Sequence, residues 1–371
     1  MDATAIRFRL HALRERKKMT QGELATALGF KDRQTLSQIE LGERKLGFEE
    51  MVRAAEIFGV GIDFFTDPFE LAGEGKFSWR QTNADPEALD EFEHQAGRWI
   101  AAFRHLGKLR GDSIHSSLRR VALTTKSTFE DAAAEGEAIG ATLDLGDIPS
   151  ARLGEAVQDR LDTLVLYIDT VRGVSGAACQ LDQLNAILIN RREPLARRSY
   201  DLAHELFHLL TWQTMPPKRI ESNSLPAEKD EKRVEQLADN FAAGLLMPTR
   251  TIKTLVANSS PPQGLALAGW IRSSATKLGV SGPALKWRLL NMGVIKLSQL
   301  DSLPDEVLRS STEETNNHLP ARYSKRFVSA ISWGIDEGHV SARRVAQLLA
   351  ISVDDLKDLF AEHGLSTPFD L

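Results

Sequence analysis

The sequence predicts a mainly helical chain with a small β-sheet, an α+β class, laid out in several segments. Three observations predict it. Apolar residues recur at helical spacing over residues 1–68 and again over 262–371. Two short apolar, β-branched runs, LVLYID at 164–169 and NAILIN at 185–190, are bounded by turn residues as strands are. Two longer helical patterns, Leu195 to Trp212 and Glu228 to Leu246, come after the second run and flank a polar, proline-containing loop.

Composition narrows the class further. A chain of 371 residues suggests two or three domains, each able to bury a core. A single cysteine, Cys179, leaves no intramolecular disulfide framework and points to a reducing, cytoplasmic setting. The N-terminal residues lack the apolar core of a secretory signal. No uncharged apolar stretch approaches the roughly eighteen residues of a membrane helix. The formal charge of −5 argues against nonspecific nucleic-acid binding by the whole chain. Residues 1–45 nevertheless carry ten Lys and Arg against six Asp and Glu, a local bias that suits either a nucleic-acid face or a solvated helical surface.

Within residues 1–68, Thr20 is placed to cap a helix whose apolar side carries Leu24, Ala25 and Leu28, and Gly29 suits the reversal that ends it. A second helix, about Asp32 to Leu41, buries Leu36 and Ile39 and is closed by Gly42. Small Ala25 lets the two helices cross closely. This is a helix-turn-helix pattern, in which the second helix enters the major groove of DNA.

These residues resemble the XRE family of lambda-repressor-like helix-turn-helix domains. The resemblance rests on Thr20-Gln21, Leu24-Ala25, Leu28-Gly29, Ser37-Gln38-Ile39-Glu40, Gly42 and Arg44. Met51, Ala54, Ala55, Phe58, Gly59-Val60 and Asp63-Phe64-Phe65 match the last two of its five helices. Leu46-Gly47 stands where the family commonly has a proline. The resemblance implies a five-helix domain over residues 1–68 that binds a double-stranded DNA operator, usually as a homodimer on a palindromic site. Gln21 corresponds to the family glutamine that contacts phosphate. Arg33, Gln34 and Gln38 fall on the outward face of the recognition helix, where Arg suits guanine and Gln suits adenine. Arg44 and Lys45 are placed for phosphate contacts. A domain kept only for protein interaction would leave the same side chains merely exposed.

A polar linker (GEGKFSWRQTNADPEA) and an amphipathic helix, about Pro86 to Leu109, occupy residues 69–125. Residues 126–300 carry the chemistry. His204, Glu205 and His208 form HExxH. On a helix the i, i+4 spacing stacks both imidazoles on one face, a turn apart, so both can reach one metal ion. Zinc lowers the pKa of a bound water from about 15.7 to about 7, and Glu205 is placed to take that water's proton. Leu202, Ala203, Leu206, Leu209 and Leu210 make the helix apolar and hence buried, where two imidazoles and a carboxylate need partners. Glu235 on the next long helix supplies a third ligand, with Glu231 and Asp239 as alternatives. Asp239 sits one turn beyond Glu235. It either accepts a hydrogen bond from a ligand histidine, fixing its tautomer, or is a surface carboxylate.

This stretch resembles the ImmA/IrrE family of zincin-like metallopeptidases. The residues that carry the likeness are Ser175-Gly176, Asn185 to Asn190, Ala203 to Leu206 with His208, and Glu235, Ala238-Asp239, Phe241 to Ala243 and Leu245 to Pro248. The resemblance implies a zinc endopeptidase with His204, His208 and Glu235 as metal ligands and Glu205 as general base. Manganese is the second metal such a ligand set admits. The family usually has glycine at position 207, so Phe207 is expected to narrow the cleft or alter the approach of substrate, without removing a catalytic atom. Family members cut a partner repressor or antitoxin, releasing transcription under stress. The competing expectation is a transcription factor whose peptidase-like domain only senses a metal or ligand. Residues 301–371 read as a helical C-terminal region. Its rhythm at 339–360 is again helix-turn-helix, and its histidines, His318, His339 and His363, lack metal-ligand spacing.

Overall fold

The computed structural model describes residues 3–112, 118, 120–222, 229–264, 266–309 and 319–369. Contacts divide the chain into two compact units. The first comprises Met1–Lys76, Pro86–Ile114 and Arg326–Leu371, and the second Phe77–Asp85 and His115–Lys325.

The first unit opens with five helices: α1 (Ala3–Arg16), α2 (Gln21–Ala27), α3 (Arg33–Leu41), α4 (Phe48–Phe58) and α5 (Asp63–Thr66). The capping signals act as the sequence suggested. Thr20 accepts from the Glu23 amide while the Glu23 carboxylate accepts from the Thr20 amide, satisfying two otherwise orphaned donors of α2. Asp32 caps α3, which Gly42 ends with a φ of 85°, a left-handed conformation that costs glycine little. Gly47 starts α4, and its amide donates to Glu50. Leu24, Ala25, Leu28, Leu36, Ile39, Met51, Ala54 and Phe58 form one core. Buried Arg9 ties α1 to α5 and the residues just beyond it, donating to the carbonyls of Phe64, Phe65, Asp67 and Glu70.

A long helix, α6 (Pro86–Arg110), continues this unit. Three C-terminal helices, Lys325–Asp336, Ala342–Leu349 and Val353–Glu362, complete it. The Trp99 indole donates to the Leu348 carbonyl at 3.1 Å, Phe103 stacks on Phe327, and Arg344 pairs with Asp67. The C-terminal region thus shares a core with α6. His339 lies against the Trp333 ring, with centroids 5.0 Å apart, and His363 is half-buried. His318 lies outside the described residues.

The second unit holds β1 (Lys76–Gln81), α7 (Phe129–Thr142), α8 (Pro149–Leu161), β2 (Thr163–Ile168), β3 (Val174–Gln180), β4 (Asn185–Asn190), α9 (Leu195–Thr211), β5 (Ile220–Ser222) and α10 (Lys229–Leu246). Among the described residues one sheet has the order β2-β4-β3-β1-β5. β2 runs parallel and β3 antiparallel to β4, and β1 runs parallel to β5. Two strands match the apolar runs of the sequence. The others lie in stretches that read as turns or linker. β3 (VSGAACQ) is weak in strand-forming residues and owes its form to burial between neighbours. Helix α9 packs against β3 and β4 on one side and α10 on the other.

Two glycines set how closely α10 approaches α7. A Cβ on Gly136 would lie 2.2 Å from the Phe241 carbonyl oxygen, and one on Gly244 would lie 2.1 Å from that of Ala133. The backbones meet without side chains between them, and this fixes the helix that carries Glu235. Leu206, Phe207, Phe241, Leu245, Ile187 and Ala178 belong to the surrounding core. Helices α11 (Thr249–Asn258), α12 (Ala266–Leu278), α13 (Gly282–Asn291) and α14 (Asp305–Leu308) come next, and α12 and α13 add Leu267, Ile271, Leu285 and Leu289 to that core. No described helix is long and apolar enough to cross a membrane.

At the ends of β2 and β4, Asp169 accepts from Arg191, Arg192 and Arg322 at 2.7–3.0 Å. Burial alone would raise the Asp169 pKa, but the three guanidinium groups outweigh it and hold it at about 2. A carboxyl depressed in the folded state stabilises above its unfolded pKa of about 3.9, and that stability fades as pH falls toward 2. Asp169→Asn is therefore expected to lose about 1–2 kcal/mol at pH 7, after discounting for partial exposure. In urea denaturation that deficit should fall to about half at pH 3. A deficit independent of pH contradicts the assignment.

Candidate metal centre

Helix α9 is buried along almost its whole length, because its apolar residues flank rather than oppose the HExxH residues. His204 and His208 are 1% and 0% exposed, and Glu205 is 0% exposed. The Nε2 atoms of His204 and His208 lie 3.0 Å apart. From α10, Glu235 brings Oε2 to 3.1 Å from His204 Nε2 and Oε1 to 3.7 Å from His208 Nε2. Among the described residues these three form the cluster able to hold a metal ion.

Asp239, one turn further along α10, sits at the other ring nitrogen, with Oδ1 3.1 Å from His204 Nδ1. An imidazole that donates through Nδ1 leaves the Nε2 lone pair free to face the point on which His208 and Glu235 also converge. Glu231 lies elsewhere, paired with Lys218. Glu221 and Glu228 have no described side chains. Phe207 does not narrow a cleft. It is 0% exposed and packs into the core against Phe241 and the edge of the His208 ring.

The donor set fits a divalent cation. Bonds of about 2.0–2.1 Å at tetrahedral angles put ligand atoms roughly 3.3 Å apart, between the observed 3.0 and 3.7 Å. Charge balance agrees. Burial and the Arg80 guanidinium both act to keep His204 neutral, yet the Asp239 and Glu235 carboxylates prevail and raise its pKa to about 10. Burial would likewise raise Glu235, but the hydrogen bond from His204 and the charge of His208 hold it near 2. The pocket thus stabilises positive charge at the point where the ring nitrogens converge.

Three neighbours escaped the sequence reading. Arg80 on β1 places Nε 3.6 Å from Asp201 Oδ1 and Nη2 4.0 Å from Asp239 Oδ1. Burial acts to lower its pKa, and Asp201, Asp239 and Glu205 more than offset this, so it stays charged. Asp201, on the turn of α9 before HExxH, is fully buried and also accepts from Arg197 at 3.0 Å. The Tyr200 hydroxyl donates to the Asp239 carbonyl at 3.3 Å, and burial pushes its pKa well up. Asp201 could have been found at i−3 from His204 on the ligand face. Arg80, about 120 residues away in an apparent linker, carried no local signal. Gly176 on β3 lies against the site, since a Cβ there would be 3.7 Å from Glu205 Cγ.

In the helix-turn-helix segment, Arg33, Gln34 and Lys45 are exposed and Gln38 is half-buried. Gln21 donates to Glu40 at 2.8 Å, and Arg14 holds the same carboxylate. Arg44 pairs with Glu50 at 2.6 Å and lies over the Phe30 ring.

Two known families match separate parts of the chain. A helix-turn-helix family profile matches residues 10–65. The profile of the peptidase family described as the IrrE N-terminal-like domain matches residues 158–289, which include the whole cluster. No curated protein matches the chain. The chain is thus similar to a helix-turn-helix family over residues 10–65 and to the IrrE-like peptidase family over residues 158–289.

The Asp239 contact gives a direct expectation. Asp239→Asn keeps the shape but removes the charge behind His204, and should weaken zinc binding about 10–100-fold in competition with a chromophoric chelator. Unchanged affinity would place Asp239 outside the centre.

Proposed function

We propose that this chain is a cytoplasmic transcriptional regulator with zinc-dependent endopeptidase activity, which cuts a partner repressor or antitoxin and so derepresses genes under stress. The observation that carries the reading is the convergence of His204, His208 and Glu235, with Glu205 beside them and Asp239 behind His204. In this reading a DNA-binding segment ends at residue 68, a linker with connecting helices runs to 125, and the peptidase segment runs from 126 to 300.

His204, His208 and Glu235 would hold the metal, which when bound supplies Lewis acidity for a peptide carbonyl and acidifies a water. Glu205 is the general base: its carboxylate takes the proton from the attacking water and delivers it to the leaving amine. Asp239 keeps the His204 proton on Nδ1, so that Nε2 remains a ligand. Gly176 leaves β3 without a side chain over Glu205, which suits close approach of a substrate backbone.

The helix-turn-helix segment would bring this chemistry to an operator, as a homodimer on a palindromic site. Arg33, Gln34 and Gln38 read base edges in the major groove, and Gln21, Arg44 and Lys45 contact phosphate. The cost of Gln38→Ala should be about 1–3 kcal/mol on the preferred operator and nearly nil on random DNA. Lys45→Ala should weaken both alike and reduce the salt slope by about one. Equal losses from both substitutions on both DNAs would remove the assignment of Gln38 to base reading.

Glu205→Gln tests the catalytic reading, because a metal sensor has no use for that carboxylate. Protein N-termini enriched from cells expressing wild type should include new ends within a repressor or antitoxin, and these should vanish with Glu205→Gln. Identical termini, together with normal regulation by the variant, would leave a non-catalytic sensor.

A further inference from the structure

We propose that Arg80 is a positioning residue of the metal centre, which holds Asp239 against His204 by clamping one carboxylate from each of the two ligand-bearing helices. The proposal rests on the metal-centre reading and extends it to a residue outside the family-matched segment of 158–289.

The clamp is visible in the geometry. Asp201 stands on α9 one turn before His204, and Asp239 stands on α10 one turn after Glu235. Arg80, from β1, places Nε 3.6 Å from Asp201 Oδ1 and Nη2 4.0 Å from Asp239 Oδ1. One guanidinium therefore makes an ion pair with each helix, on the His204 side of their crossing. The Arg80 side chain is 12% exposed, and its Nε and Nη1 make no hydrogen bond among the described residues. A buried guanidinium needs compensating charge. These two carboxylates supply it, so the three groups depend on one another.

Asp239 is the member of the set most open to water. Its side chain is 47% exposed, whereas Asp201 is fully buried and also accepts from Arg197 at 3.0 Å. Solvent competes for the Asp239 carboxylate, and an outward swing would leave His204 Nδ1 without its acceptor. Arg80 opposes that swing from the buried side, where a low dielectric strengthens the attraction. Arg80 is in turn fixed by its strand. Ser175 Oγ donates to its carbonyl at 3.3 Å, the Thr82 amide donates to the Gly173 carbonyl at 2.7 Å, and the adjoining Trp79 is fully buried. The orientation of a ligand histidine is set by such partners behind it.

The guanidinium is also a positive charge close to a site built for a cation, and by itself it would weaken metal binding. The two effects separate by background. With Asp239 in place, Arg80 secures the acceptor of His204. With that side chain neutral, only the repulsion remains.

Zinc affinity of the full-length protein, from competition with a chromophoric chelator, is compared in wild type, Arg80→Met, Asp239→Asn and the double variant. Arg80→Met should weaken zinc binding about five- to tenfold in the wild-type background, and should cause no loss or a gain in the Asp239→Asn background. Arg80→Lys keeps the charge without the fork, and should lose about threefold in the first background and nothing in the second. A residue that merely supports the fold lowers affinity equally in both backgrounds, and that result overturns the proposal. Undiminished zinc affinity in folded Arg80→Met overturns it too. Should the Met variant lose cooperative melting, Arg80→Lys decides by the same two criteria. Either negative result leaves the metal centre standing, whereas wild-type protein that binds no zinc overturns the metal-centre reading and this proposal together.

Discussion

The constraint on which the second unit depends is the burial of several carboxylates and two imidazoles at one crossing of two helices. Unpaired charge in a protein interior is too costly to persist. Here α9 and α10 bring the buried His204, His208 and Glu205 together with the half-buried Glu235, with buried Asp201 and half-buried Asp239 behind. Arg80 and Arg197 offset part of the negative charge. The apolar packing serves this crossing. Paired glycines on α7 and α10 allow the backbone contact that sets the position of Glu235, and Phe207 and Phe241 fill the core behind His208.

Much of this was legible in the sequence because the signals were local. HExxH needs only helical periodicity to imply that two imidazoles share a face. Thr20 as cap and Gly29 and Gly42 as closers marked where α2 starts and where α2 and α3 end, since each signal acts over three or four positions. Asp239 was readable as a partner of His204 for the same reason, being one turn from Glu235.

What the sequence withheld depends on long-range contact. β3 is built of small residues with little strand preference, and only its place between β4 and β1 makes it a strand. β1 lies in a polar stretch, yet its Trp79 is fully buried and its Arg80 reaches the metal centre. Phe207 looked like an obstruction because its departure from glycine was visible while its direction was not. The C-terminal helices give no local sign that they pack on α6, a relation carried by Trp99, Phe103 and Phe327 across more than two hundred residues. The same pattern holds for Gln21 and Arg44. Their positions suggested phosphate contacts, and each also engages a glutamate of its own domain, Glu40 and Glu50. Both can serve DNA only by sharing or exchanging those partners.

The measurement that bears most directly on the central claim is metal content by mass spectrometry, on wild type and on His204→Ala purified in parallel. The account predicts close to one zinc per chain in wild type and almost none in the variant, with the variant still folded by circular dichroism. Folded wild-type protein that carries no metal and takes up no added zinc would contradict it, because the buried carboxylates would then be satisfied without a cation.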